Sequence, residues 1–202
     1  MIKEQCESLY NRIIQRCEQK IIIRLAECLK THLDLNDETT VEDISDLTNW
    51  LYIIDEQDLA IDTANFIVDI QFEGDFHIWE NVQSVLTVKA LIYEERGDFE
   101  KADECIAPIR KVRNSGDEAM IRKRERILQR ILNGSLLYDK EIIEAHRKGD
   151  NQGEFWHRFL QLHRLCYMKI MGGSVSYPID FLSKEIAKEK QILKENCKIV
   201  NF

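Results

Sequence analysis

From Thr31 to Val88 the chain has no lysine and no arginine, and this absence is the strongest signal in its 202 residues. The same fifty-eight positions hold fourteen Asp and Glu. Residues 1–30 carry six Lys/Arg against four Asp/Glu, and residues 89–202 carry twenty-two against eighteen, so the whole chain stands at −8. Charge is therefore segregated along the sequence, which bears on partners more than on fold.

Other things are scarce as well. Two prolines and eight glycines leave little to interrupt helices, and Leu, Ile, Glu, Lys and Arg are abundant. The composition points to an all-α protein, and the length suits a single domain over residues 1–202. No apolar run exceeds a few residues, Ile21-Ile22-Ile23 being typical, so no membrane span is expected. The start, MIKEQCESLYNR, is charged and lacks the apolar core of a signal peptide. Six cysteines lie dispersed rather than packed into a small framework, which predicts reduced thiols and a cytoplasmic protein.

Chemistry-bearing motifs are missing too. His32, His77, His146, His157 and His163 form no HExxH and no Cys/His cluster with zinc spacing. Gly172-Gly173-Ser174 lacks the lysine of a phosphate loop, and no GxSxG occurs. No catalytic residue, cofactor site or metal site is nominated. Cys6, Cys17 and Cys28 stand eleven apart, which on one continuous helix is about 16 Å per step and too far to share an ion.

Apolar periodicity supplies the elements. One long helix is expected over residues 2–33, with Ile2, Cys6, Leu9, Ile13, Cys17, Ile21, Cys28 and His32 on one stripe. Thr40 with Asp43 resembles a capping box ahead of a second helix over 41–54. A third runs over 58–72, followed by a hairpin over 78–112 that turns at Gly97-Asp98. Helices over about 117–132, 139–148, 154–171 and from Pro178 to Cys197 complete a set of nine. The arginine-rich member, with Arg122, Lys123, Arg124, Arg126 and Arg130, reads as cations spread around the helix rather than as one stripe. In an acidic chain they do not predict nucleic-acid binding.

The stretch Trp79–Arg113 carries the one family-like pattern. Leu86, Ala90, Tyr93, Gly97, Phe99, Ala102 and Ile106 resemble a tetratricopeptide (TPR) repeat, Ala90 and Ala102 taking its small positions and Gly97 its turn glycine. Leu86 stands where the motif has tryptophan, and Pro108 lies earlier than the motif's proline. In this reading Phe99 plugs the start of the second helix. The resemblance covers about 35 residues and implies stacked helical hairpins, a TPR-like α-solenoid. A shift of forty overlays Leu51 on Leu91 and Asp58 on Asp98, but puts Asp62 on Ala102.

The acidic block carries the functional expectation. Asp43, Asp46, Asp55, Glu56, Asp58 and Asp62, with the aromatics Trp50, Phe76 and Trp79 beside them, form a candidate docking surface for a basic protein partner. The aromatics serve as anchors if exposed and as core if buried. A non-enzymatic binding module is the leading expectation, in the manner of an immunity or antitoxin-type protein that neutralises a basic toxin. The TPR resemblance implies instead an adaptor or secretion chaperone that holds a partner peptide. A helical enzyme is the third class.

Overall fold

A computed structural model of the protein describes residues 2–30, 33–132 and 137–197, the side chains of 2, 119, 124, 127–129, 131 and 132 excepted. Among the described residues the chain is all-helical, with ten α-helices, one 3-10 turn and no strand. It divides into two compact units, the first ending at Ile106 and the second beginning at Ala107.

In the first unit the expected long helix is broken. Helix α1 (Ile2–Arg16) ends, residues 17–19 leave the helical path, and α2 (Lys20–Ala26) continues into a 3-10 turn at Glu27–Lys30. Gln19 is extended (φ −72, ψ 121). The break has a packing cause. Ile21, Ile22, Leu25 and Ala26 are all buried, and they cover more of a seven-residue helix than one stripe. A straight continuation of α1 would have turned Ile22 and Ala26 away from the face that holds Ile13. His32, at the end of the expected stripe, lies outside the described residues.

Helix α3 (Glu38–Ile53) is the central element and packs on α2, α4 and α5. Burial runs almost without interruption from Ile44 to Ile53, which is the mark of a helix covered on all sides. Its start differs from expectation. Asp37, not Thr40, is the N-cap: one carboxylate oxygen accepts from Thr40 N–H at 2.9 Å and from Thr40 Oγ1 at 2.8 Å. A carboxylate outcompetes a hydroxyl for the free N–H groups of a first turn. Helix α4 (Gln57–Ala64) is shorter than the expected 58–72, and turns carry the chain through 65–69 with Ile67 still buried.

Helices α5 (Phe76–Glu95) and α6 (Phe99–Arg113) match the expected hairpin. Asp75 caps α5 through His77 and Ile78 N–H, and Asp98 accepts from Lys101 N–H at 3.3 Å. Ala90 and Ala102 are both buried. Phe99 is a correction: at 67% exposure it plugs nothing. The division between the units falls inside α6.

The two hairpin turns close alike. Gly97 (φ 76) ends α5 while Asp98 N–H donates to Tyr93 O at 2.9 Å; Asp55 (φ 67) ends α3 while Glu56 N–H donates to Leu51 O at 2.8 Å. Both are left-handed helix stops with the bond from C″ back to C3. They set the hairpin register at forty-two, from Asp55 to Gly97, rather than forty. At that spacing Ala60 meets Ala102, both buried, and the misfit of Asp62 disappears.

The second unit contains α7 (Glu118–Leu132), α8 (Asp139–Lys148), α9 (Asn151–Ile170) and α10 (Ile179–Asn196). Helix α9 packs on both α8 and α10. The expected stop at Asn133-Gly134-Ser135 lies outside the described residues. Between α9 and α10 the chain turns at Gly172 and Gly173, and a Cβ on Gly173 would meet Tyr177 O at 2.7 Å. Pro178, just before α10, is its N-cap. Among the described residues no helix is long and apolar enough to cross a membrane.

Candidate functional site

The acidic block divides into two halves with different surroundings. At the α3–α4 turn and along α4, the carboxylates meet arginines supplied from outside the block. Asp62 pairs with Arg12 at 2.7 Å, Glu56 with Arg16, and Asp58 with Arg96 at 2.8 Å. Arg96 Nε also donates to Gln57 at 3.0 Å, and Gln57 and Tyr52 both donate to Glu95. The missing Lys and Arg of residues 31–88 are thus made good by α1 and by the end of α5. Asp55 is exposed in its left-handed turn.

The other half lies where α3 and α5 begin and where the chain leaves α4. Here Val41, Ile44, Ala64, Ile67 and Val85 form one buried cluster, with Leu35, Phe66, Val68, Ile70 and Ile78 packed around it. Glu42, Asp69 and Glu73 are exposed around these segments, and none of the three pairs with Lys or Arg among the described residues. Glu38 has a histidine neighbour, His77, at 3.8 Å. Asp34, Asp37 and Asp75 spend their carboxylates on local backbone N–H groups.

Asp43 and Asp46 stand between these halves, both half-buried on α3. Burial pushes the Asp46 carboxyl up to about 7, with Glu42 and Asp43 adding to it and Arg24 opposing. Asp43 is raised as well, by burial first. Close to neutrality Asp46 therefore carries only part of a charge.

The aromatics expected as anchors fall on the other side of their condition. Trp50 and Trp79 are each 2% exposed and belong to the core. Trp79 packs edge-on against Phe72, ring centroids 5.9 Å apart, and its buried Nε1–H has no hydrogen-bond partner among the described residues. Phe76 remains half-buried, as does Phe72, so the aromatic surface next to Glu73 consists of these two rings. Of the nine residues expected to form one surface, the structure pairs Glu56, Asp58 and Asp62 with arginines and puts the two tryptophans inside.

Elsewhere the chemistry is sparse. Among the described residues no group of three or more His, Cys, Asp and Glu is placed to hold a metal ion. Burial pushes the Cys17 thiol up to about 11 and Cys28 to about 12, and raises Cys6 and Cys105, which keeps these sulfurs protonated and poorly nucleophilic. His146 Nδ1 sits 2.9 Å from Glu154. His157 is stacked on Tyr138, and His163 lies against Phe159 with ring centroids 4.3 Å apart.

Two features of the second unit were not expected. Arg158 bridges Glu154 at 2.9 Å and Glu189 at 3.1 Å, Glu189 being 1% exposed. Gln161 extends this network to Asp139 at 3.2 Å and accepts from Tyr138 N–H at 2.8 Å. A signal existed: Glu189 continues the apolar stripe of Leu182, Ile186 and Leu193. The second is a recurrence on α7, within a set of cations that still spreads around the helix. On α7, Arg122, Arg126 and Arg130 stand four residues apart and so share a face, with Lys123 on its shoulder.

Across residues 2–195 the chain matches the model of a family of unknown function, DUF6707, and it belongs to that family. No curated protein and no solved structure matches it.

Proposed function

We propose that this chain is a non-enzymatic protein-binding module of the immunity or antitoxin type, which neutralises a basic partner protein through the uncompensated half of its acidic block. One observation carries the reading. Glu42, Asp69 and Glu73 are exposed and unmatched by Lys or Arg among the described residues, whereas Glu56, Asp58 and Asp62 are paired with arginines. Solvated charges that are locally unpaired raise the encounter rate with an opposite charge and discriminate by sign. Phe72 and Phe76 supply apolar area beside them. Cytosolic action, expected from the thiols, is part of the same proposal.

The test separates surface from fold. Reversing Asp43, Asp46, Glu56 and Asp58 would break ion pairs with Arg16 and Arg96, so the informative variant is Glu42→Lys/Asp69→Lys/Glu73→Lys. Basic proteins encoded beside this gene, toxin-like ones first, are titrated against the wild type and the variant. We expect binding that weakens steeply with salt and falls at least tenfold in the variant, while the helical circular dichroism stays unchanged. Equal affinity of the two proteins sinks the proposal.

A second reading has its own support. The paired left-handed turns and the register from Ala60 to Ala102 favour stacked hairpins of the kind that hold a peptide in a groove. That spacing exceeds the roughly 34 residues of a TPR, so the adaptor or secretion chaperone of this reading is TPR-like in hairpin design rather than in period. Binding of an apolar peptide that persists at high salt would favour it.

A further inference from the structure

We propose that Cys6 and Cys28 are a thiol pair that an oxidant closes into an intrachain disulfide, locking α1 to the 3-10 turn at Glu27–Lys30. On one continuous helix these two residues, twenty-two apart, would stand about 33 Å from each other. The break at residues 17–19 removes that separation, because the 3-10 turn packs directly on α1. Two contacts fix which residues meet. Tyr10 Oη donates to Glu27 at 3.0 Å, and Lys30 Nζ lies over the Tyr10 ring at 4.3 Å. Cys28 falls between Glu27 and Lys30 in the turn, and Cys6 lies one helical turn before Tyr10 on the same side of α1.

The surroundings agree with this pairing. The Cys28 thiol is raised by burial first, then by Asp43 and then by Cys6, so the two sulfurs lie within each other's field. For Cys17 and Cys105 the groups that act after burial are Glu56 with Arg16 and Lys89 with Glu104. Cys6 is 3% exposed, whereas Cys28 is half-buried at the edge of the cluster of Val41, Ile44 and Val85. Cys28 is therefore the sulfur that a small oxidant reaches first. With a small disulfide such as oxidised glutathione, the Cys28 thiolate attacks one sulfur, forming a mixed disulfide and releasing one glutathione. The Cys6 thiolate then attacks Cys28 Sγ, the protein disulfide forms and the second glutathione leaves. Two electrons pass to the small disulfide, and the two protons lost by the cysteines end on the two glutathione thiols. Burial keeps both cysteines protonated, which slows attack and makes this a slow lock rather than a fast sensor. A 3-10 turn of four residues, with its poorer hydrogen bonds, opens more readily than the helices around it and admits the oxidant. Once closed, the bond holds the chain across the break at 17–19 and restrains the unfolded state. Glu42, Asp69 and Glu73 take no part in it, so it stands apart from the basic-partner reading.

Oxidised glutathione added to the folded full chain at pH 8 tests the pair. Two of the six thiols should disappear over hours, and peptide mapping should join the segment that holds Cys6 to the one that holds Cys28. The oxidised chain should melt several degrees above the reduced one, and a reducing dithiol should return it to the lower value. Cys28→Ser and Cys6→Ala should each lack the cross-link and show no such rise on oxidation. Mapping of the wild type requires neither variant to fold. Retention of all six thiols under conditions that oxidise the chain in urea, linkage of any other pair, or an oxidised form that melts no higher than the reduced one overturns the proposal.

Discussion

Asp46 is the residue at which local physics has the clearest consequence. Burial on α3, beside Glu42 and Asp43, holds its carboxyl near 7, well above the ordinary aspartate value of about 4. Between these two values the folded chain holds a proton that the unfolded chain releases. Stability from this group is therefore full below about pH 4, falls as pH rises toward 7, and is flat beyond. The loss amounts to roughly 2–4 kcal/mol, at about 1.4 kcal/mol per pKa unit. Asp46→Asn should accordingly raise the melting temperature at pH 8 by several degrees and change it little at pH 4, as thermal unfolding followed by circular dichroism would show. A gain of equal size at both pH values would mean that burial of the charge is not the cause. The sequence showed that Asp46 was acidic and helical. It did not show that α2 would bring Arg24 close by, because that depends on a helix break at residues 17–19 that has neither proline nor glycine to announce it.

At the scale of elements, helix type and number were readable because apolar residues recur at helical spacing, and the turn at Gly97 was readable because glycine tolerates positive φ. Asp55 takes the same conformation without that chemical cue, which is why the repeat register could not be set from sequence. Partners between helices were equally hidden. Arg158 reaches Glu189 thirty-one residues away and Glu154 one turn away; the apolar stripe of α10 marks Glu189 as facing inward, but no spacing says which cation it meets. This bridge ties α9 to α10 where Glu189 is buried. Glu189→Ala should destabilise the protein by about 1–3 kcal/mol, because Arg158 keeps Glu154 but loses its hydrogen bonds to a buried carboxylate. Arg158→Met/Glu189→Leu should cost far less, since both charges go together. Chemical denaturation of the two variants provides the measurement, and similar losses for both would show that packing volume, not charge, dominates there.

At the scale of the whole molecule the charge pattern and the division into units coincide. Residues 1–106 carry nine Lys/Arg and twenty-four Asp/Glu, a balance of −15, while residues 107–202 carry nineteen and twelve, a balance of +7. Every cation seen to serve the acidic block, namely Arg12, Arg16, Arg24 and Arg96, lies within the first of these segments. So does the cluster built on Val41, Ile44, Ala64, Ile67 and Val85. A segment that holds its own core and its own counter-ions meets the requirements of an independent folding unit. Length suited one domain over residues 1–202, and a boundary between compact units that falls within α6 leaves no mark in the sequence. A fragment of residues 1–113, which retains α6 entire, should unfold in one cooperative thermal transition and keep the salt-dependent binding proposed for Glu42, Asp69 and Glu73. A fragment with helical signal but no cooperative transition would show that the first unit draws essential stability from residues beyond Arg113, and the acidic surface would then have to be understood as a property of the intact chain.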